Sequence, residues 1–399
     1  MNRILDRRDF LGRSLSGVAV AGGLGLTGLP ALAGPLAARK EYQGPNVVLI
    51  RFGGGARRRE SIDPEATCYS PYVLNKLVPR GVLLKNMLID TAASDTGHGQ
   101  GTLNILTGKY DKYEDIAGKL FGERYEANVP TIFEYLRQSF AVPEYQTLII
   151  NGEDRTDEEF YTFSNHHLFG AEFRSNVLSL YRYKTYLLRQ QIKEDAASWT
   201  ETELYDKRRE LAKMEALDYR RQDQDAQTGE IEQFWKEWRQ FYGDSGFVNP
   251  RGDRLLTELA LRAIKQLRPK LLMINYNDCD YVHWGNMAHY TRGIAIMDVG
   301  IQKIVAAVEA DPEYRDNTVF VIVPDCGRDD SPFAAVPCQH HFNSRSSREI
   351  FAFLFGSGIE RGRIVDRPTQ QIQIAATVGQ LMGFQTSFAE GNVLEEALA

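Results

Sequence analysis

Two apolar runs late in the chain, Leu271-Leu-Met-Ile-Asn-Tyr-Asn277 and Thr318-Val-Phe-Val-Ile-Val-Pro324, each stop abruptly at acids. Short, nearly continuous apolar runs suit strands buried on both faces, the pattern of a parallel sheet covered by helices. The first is followed by Asp278-Cys279-Asp280-Tyr281-Val282-His283 and the second by Asp325-Cys326-Gly327-Arg328, with the pair His340-His341 close behind. Open α/β sheets build their sites at the carboxyl ends of such strands. Metal-assisted chemistry is therefore the first hypothesis for this edge.

The rest of the chain supports that architecture. Asn46 to Ile50 is a β-branched run ending in the glycine turn Gly53-Gly54-Gly55, and Val82 to Ile89 and Gln146 to Ile150 are further strands. Gly99 to Leu106 starts a helix, and Pro130-Thr131-Ile132-Phe133 opens another with proline in its first turn. From about 173 to 242 the composition shifts to Arg, Glu, Gln and Tyr, with Phe173, Val177, Leu180, Tyr183 and Leu187 on a helical period and a capping box at Thr200 and Glu203. This segment reads as a helical insertion, either covering the sheet or standing off it as a solvated appendage. Alternation resumes with helix 253–267, strand 271–277, helix 289–310, strands 318–324 and 349–355, and a final helix over about 368–382.

The net charge of −6 over 399 residues excludes an electrostatic nucleic-acid binder. Arg7-Arg8-Asp9-Phe10-Leu11 precedes a glycine-dotted, mildly apolar stretch, and Ala31 and Ala33 frame a cleavage point before Gly34. Residues 1–33 thus read as a twin-arginine signal peptide, with the twin-arginine export machinery as a partner and a periplasmic or secreted destination. The alternative is an uncleaved membrane anchor. Twin-arginine export moves proteins already folded, and assembly around a metal in the cytoplasm is one common reason a protein needs it. Cys68, Cys279, Cys326 and Cys338 are too few for a disulfide framework. Cys279 and Cys326 stand beside candidate ligands, as buried small hydrophobes or as thiolates.

Asp280 and His283, with Asp278 as a second carboxylate, offer two ligands from one loop, and His340 or His341 offers a third from a later one. That set suits zinc first, with manganese, iron or calcium as alternatives. The competing reading is a hydrogen-bonded polar cluster without metal. Tyr276, Tyr281 and Trp284 flank the ligand loop as pocket walls or as core, and Asp329-Asp330 extends Arg328 into a charged, solvated loop. His166-His167 is read as a surface pair.

The ordered set Asn46–Ile50, Leu103-Asn-Ile-Leu-Thr107-Gly108, Asp280-x-x-His283, Asp325-Cys326-Gly327 and His341 resembles the alkaline phosphatase and sulfatase superfamily. The resemblance implies an α/β fold, a three-layer sandwich with a central mostly parallel sheet, spanning about residues 40–399 and interrupted by the helical insertion. It implies hydrolysis or transfer of phosphate, phosphonate or sulfate esters at one or two metals. Residue by residue, Asp280, His283 and His341 resemble the ligands of a first metal and Asp325 one ligand of a second.

Three departures follow. The acidic ligand that the family places after the first strand is Gly53 here, the family's Asp-His-Gly is Asp325-Cys326-Gly327, and the spacing of the nucleophile falls on His98, with Ser94 and Thr96 nearby. In one reading His98 is a ligand or a phosphoryl-accepting nucleophile of a single-metal enzyme. In a second, the glycine turn's N–H groups and Arg57, Arg58 or Arg328 receive an anion in place of the missing metal. In a third, the site has degenerated and the fold binds an anionic ligand or a partner. The expectation is an exported, metal-dependent hydrolase of small anionic phosphate or sulfate esters, with the degenerate binder as its rival and a phosphoryl mutase as a third possibility.

Overall fold

Strand β1 (Asn46–Arg51) is buried along its whole length because it lies mid-sheet, parallel to β5 (Leu271–Asn275) on one side and to β6 (Thr318–Val323) on the other. The computed structural model describes residues 39–111, 127–151, 164, 169–216, 229–244, 252–284, 286–331 and 338–399. The expected signal peptide and His166-His167 lie outside them. Outward from β5 come β3 (Thr147–Asn151) and β4 (Asn176–Ser179), both parallel to it. Beyond β6, β7 (Glu349–Gly356) runs antiparallel to β6 and to β2 (Gly81–Leu88), and β8 (Arg363–Val365) and β9 (Thr369–Gln370) add in parallel to β2. The result is a mostly parallel nine-stranded sheet.

Successive side chains of a strand face opposite ways, so each strand feeds two cores. Val48 and Ile50 enter the core covered by α4 (Leu180–Asp195), α6 (Gly229–Tyr242), α7 (Asp253–Leu267) and α8 (Met287–Ala310). Val47 and Leu49 enter the other, under α2 (His98–Thr107), α3 (Ile132–Ser139) and α10 (Gln373–Met382). Among the described residues the remaining α-helices are the single turns α1 (Arg58–Ser61) and α9 (Arg345–Arg348), and α5 (Glu201–Ala216). This is the three-layer α/β arrangement expected from the sequence. Among the described residues, no helix is long and apolar enough to cross a membrane.

Three local expectations change. Val177 belongs to β4, not to a helix, because it adds a rung beside Ile149 of β3, and the helix begins only where Ser179 accepts the N–H of Arg182. Pro130 lies before the N-cap Thr131 of α3, so the first turn is fixed by a capping box with Glu134 and not by proline. The final helix starts at Gln373, after residues 369–370 have paired as β9. Within the inserted region, α6 buries Ile231, Phe234, Trp235 and Trp238, at the spacing of one helix face, whereas α5 lies largely exposed with Thr200 and Glu203 capping it reciprocally.

Candidate metal centre at the carboxyl edge

β1, β5 and β6 end side by side, and the residues that follow them meet. Gly54 and Gly55 adopt left-handed backbone with φ of 72° each, and a Cβ on Gly53 would sit 2.1 Å from the Tyr276 carbonyl oxygen. Only glycine lets this turn press so closely on the end of β5. A short 3₁₀ turn, Asp278–Trp284, then presents Asp280 and His283 three residues apart on one side. Its first turn is held by Asp253, whose carboxylate accepts the N–H groups of Asn277 and Asp278 at 2.9 Å. His98, the first residue of α2, enters from the opposite layer, and α2 approaches so tightly that a Cβ on Gly101 would meet the Asp325 carbonyl at 2.0 Å.

His98 is clamped by two carboxylates: Nδ1 lies 2.9 Å from Asp325 Oδ2 and Nε2 2.9 Å from Asp280 Oδ1. A carboxylate only accepts, so both ring nitrogens carry protons. Burial opposes that charge, but Asp280 and Asp325 together outweigh it and hold the imidazolium well above the usual histidine range. In return, and again against burial, His98 draws both carboxyls below their ordinary range, with His283 and Arg328 assisting at Asp280 and Arg51 at Asp325. Asp325 also accepts N–H groups from Gly55 at 3.2 Å and Cys326 at 2.8 Å.

His340 completes the group from the loop before β7. Its Nδ1 lies 2.8 Å from the Thr96 carbonyl, which fixes the proton on Nδ1. Burial first, and then the neighbouring charges of His98 and Arg328, keep the ring neutral, so Nε2 presents a lone pair. That atom is 3.9 Å from Asp280 Oδ1, and His283 Nε2 is 2.8 Å from the same oxygen. Ligand atoms of His98, Asp280, His283 and His340 all lie within 4.8 Å of one another, as do those of His98, Asp325 and Cys326.

No protein-family model matches the sequence, and no curated relative matches it. Solved structures do. A protein in the alkaline phosphatase superfamily from Vibrio parahaemolyticus superposes with a TM-score of 0.55 at 13% identity, covering 91% of this chain and 72% of that one. The chain has the alkaline phosphatase superfamily fold. The phosphonate monoester hydrolase of Agrobacterium radiobacter matches with a TM-score of 0.51 at 13% identity over 89% of this chain and 77% of that one. A variant of the alkaline phosphatase PafA matches with a TM-score of 0.51 at 11% identity over 90% of this chain and 99% of that one.

On this superfamily fold the candidate residues separate. Asp280, His283, His340, His98, Asp325, Cys326 and Arg328 converge. His341 does not join the ligand atoms: its ring is exposed, 3.9 Å from the His340 ring, so the late histidine of the cluster is His340. Asp278 turns toward Asp253. Burial pushes the Cys326 thiol up to about 11. Arg57 is paired with Glu60 through bonds of 2.8 and 2.6 Å, and Arg58 pairs with Glu349. The glycine turn faces inward, with the Gly55 N–H bonded to Asp325 and the carbonyls of Gly54 and Gly55 bonded by Arg328. Asp329 is buried and accepts the N–H groups of Phe342 and Ser344, tying down the loop that carries His340. Tyr276 is core, bonded to Thr257.

Two participants escaped sequence reasoning. Arg51, fully buried at the end of β1, lies 3.6 Å from Asp325 and donates to Thr102 Oγ1 at 2.8 Å. Asp253 props the ligand loop from the start of α7. The signal for Arg51 was available, since a lone charge closing an apolar strand points to a buried partner at the same edge.

One carboxylate and two imidazoles, one of them oriented by a carbonyl on its far nitrogen, are a donor set that fits a borderline divalent cation such as zinc. Asp280, His283 and His340 are the residues that fit it. His98 also belongs to this group of ligand atoms, but both of its ring nitrogens are held by carboxylates.

Proposed function

We propose that the chain is an exported hydrolase of small phosphate or sulfate esters that works with one divalent cation. The observation that carries this reading is the convergence of Asp280, His283 and the pre-oriented Nε2 of His340 at the carboxyl edge of the sheet. When bound, such a cation polarises the ester and acidifies water. The chain's own residues perform the rest. The hydroxyls nearest His98 are engaged: Thr102 donates to the His98 carbonyl, Thr96 to the His340 carbonyl, and Ser94 accepts from Asn104. Water is therefore the attacking group in this proposal, without a covalent ester on the protein. His98 holds at Nε2 the proton that the departing alkoxide requires, while its Nδ1–H stays donated to Asp325. Arg7-Arg8 and the stretch behind it are what support the exported part of this reading.

The test is purified mature protein assayed for bound metal and for turnover of aryl phosphate, phosphodiester and aryl sulfate esters. Stoichiometric metal, and turnover lost in His283→Ala, are the expected results. A second reading, an anion- or partner-binding protein on the same fold, is favoured by the engaged hydroxyls and by the doubly clamped His98. Absence of both metal and turnover on every ester class would establish it over the hydrolase.

A further inference from the structure

Arg328 is fully buried, and all three nitrogens of its guanidinium are engaged within the protein. Nε donates to the carbonyls of Gly54 and Gly55 at 2.9 and 3.0 Å, and Nη1 to the Cys338 carbonyl at 2.7 Å. Nη2 donates to the Gly54 carbonyl and, at 2.5 Å, to Asp280 Oδ1. Nη1 also stands 3.3 Å from His283 Nε2. The guanidinium's donors are thus spent chiefly on the protein itself. A positive group is already seated against two of the three residues that fit a metal.

We propose that Arg328 is a resident counter-cation with which a divalent ion must compete, so that the chain folds without metal and takes metal up reversibly. The inference rests on the metal-centre reading above. A buried carboxylate without charge compensation is strongly destabilising, and the guanidinium shares with His98 the task of relieving that penalty at Asp280 before any ion arrives. The three carbonyls it serves would likewise lose their donor if the group were removed. The same positive charge repels an incoming divalent cation at close range, in surroundings where water screens weakly.

The experiment compares wild type, Arg328→Met and Arg328→Lys as full mature chains, by thermal melting with chelator or with zinc and by zinc titration calorimetry. The wild type is expected to melt at the same temperature with and without chelator. Arg328→Met, which removes charge and donors, should melt lower with chelator, regain stability with zinc, and bind zinc about tenfold more tightly or better. Arg328→Lys, which keeps the charge but not the planar fork, should stay within about threefold of the wild-type zinc affinity. Should Arg328→Met not fold, the wild type and the lysine variant still decide. Nanomolar zinc affinity in the wild type, or a chelator-induced drop in its melting temperature, overturns the proposal while leaving the metal-centre reading intact. Zinc binding by Arg328→Met alone supports it and sinks the hydrolase reading for the native chain. Zinc binding by none of the three proteins overturns both.

Discussion

Replacing Glu134 with glutamine should change how stability depends on pH while leaving its hydrogen bonds in place. Glu134 lies in the first turn of α3, where Oε2 accepts the N–H groups of Thr131 and Ser164 at 2.8 and 2.9 Å and Oε1 accepts the Ser164 hydroxyl at 3.0 Å. Burial is the dominant influence and raises the carboxyl from 4.5 to about 7, the hydrogen bonds opposing it only in part. Between those two values the folded state binds more protons than the unfolded state, so stability is greatest below the lower value and declines as pH rises through the upper one. The full span is roughly 3 kcal/mol, of which about 2 kcal/mol falls between about pH 5.5 and pH 8. In glutamine the carbonyl oxygen can accept both N–H groups and the amide can donate to the Ser164 hydroxyl, and the side chain does not titrate. Urea unfolding of both proteins across that range should show the variant gaining about 2 kcal/mol on the wild type toward alkaline pH. Parallel curves, with a constant offset at every pH, would refute the argument that this carboxyl is protonated by burial.

The remaining predictions concern the carboxyl edge. His340→Ala should weaken zinc binding by about tenfold or more, whereas His341→Ala should leave it within about threefold; calorimetric titration of both variants checks the choice between these neighbours. Asp325→Asn removes the counter-charge of buried Arg51 and one of the two clamps on His98, and should cost about 3–5 kcal/mol of stability in urea unfolding. Retention of wild-type stability in that variant would mean that the Arg51–Asp325 pairing is not the balance described here.

Much of the fold was legible in the residues. β5 and β6 are apolar because both of their faces are covered, and a period of that kind survives in any register, so the parallel sheet and its acidic edge could be read directly. β4 was not legible, because Asn176–Ser179 is too short to show a period of its own and its strand character comes from pairing with β3. The cluster divided along similar lines. Asp280 and His283 share one local turn, so their spacing alone places them together, and the capping partners Thr200 and Glu203 are local in the same way.

What amino-acid order determined by itself was therefore the set of layers and the kind of chemistry gathered at the strand ends, since burial and short-range spacing act along the chain. Only the tertiary structure decided that His340 and not His341 turns inward, that Arg57 faces Glu60, and that Arg51 and Arg328 neutralise the two carboxylates. The physical reason is that a side chain's direction at a strand end is set by the turn beneath it. A buried charge's partner, in turn, is chosen by proximity in space among residues far apart in sequence.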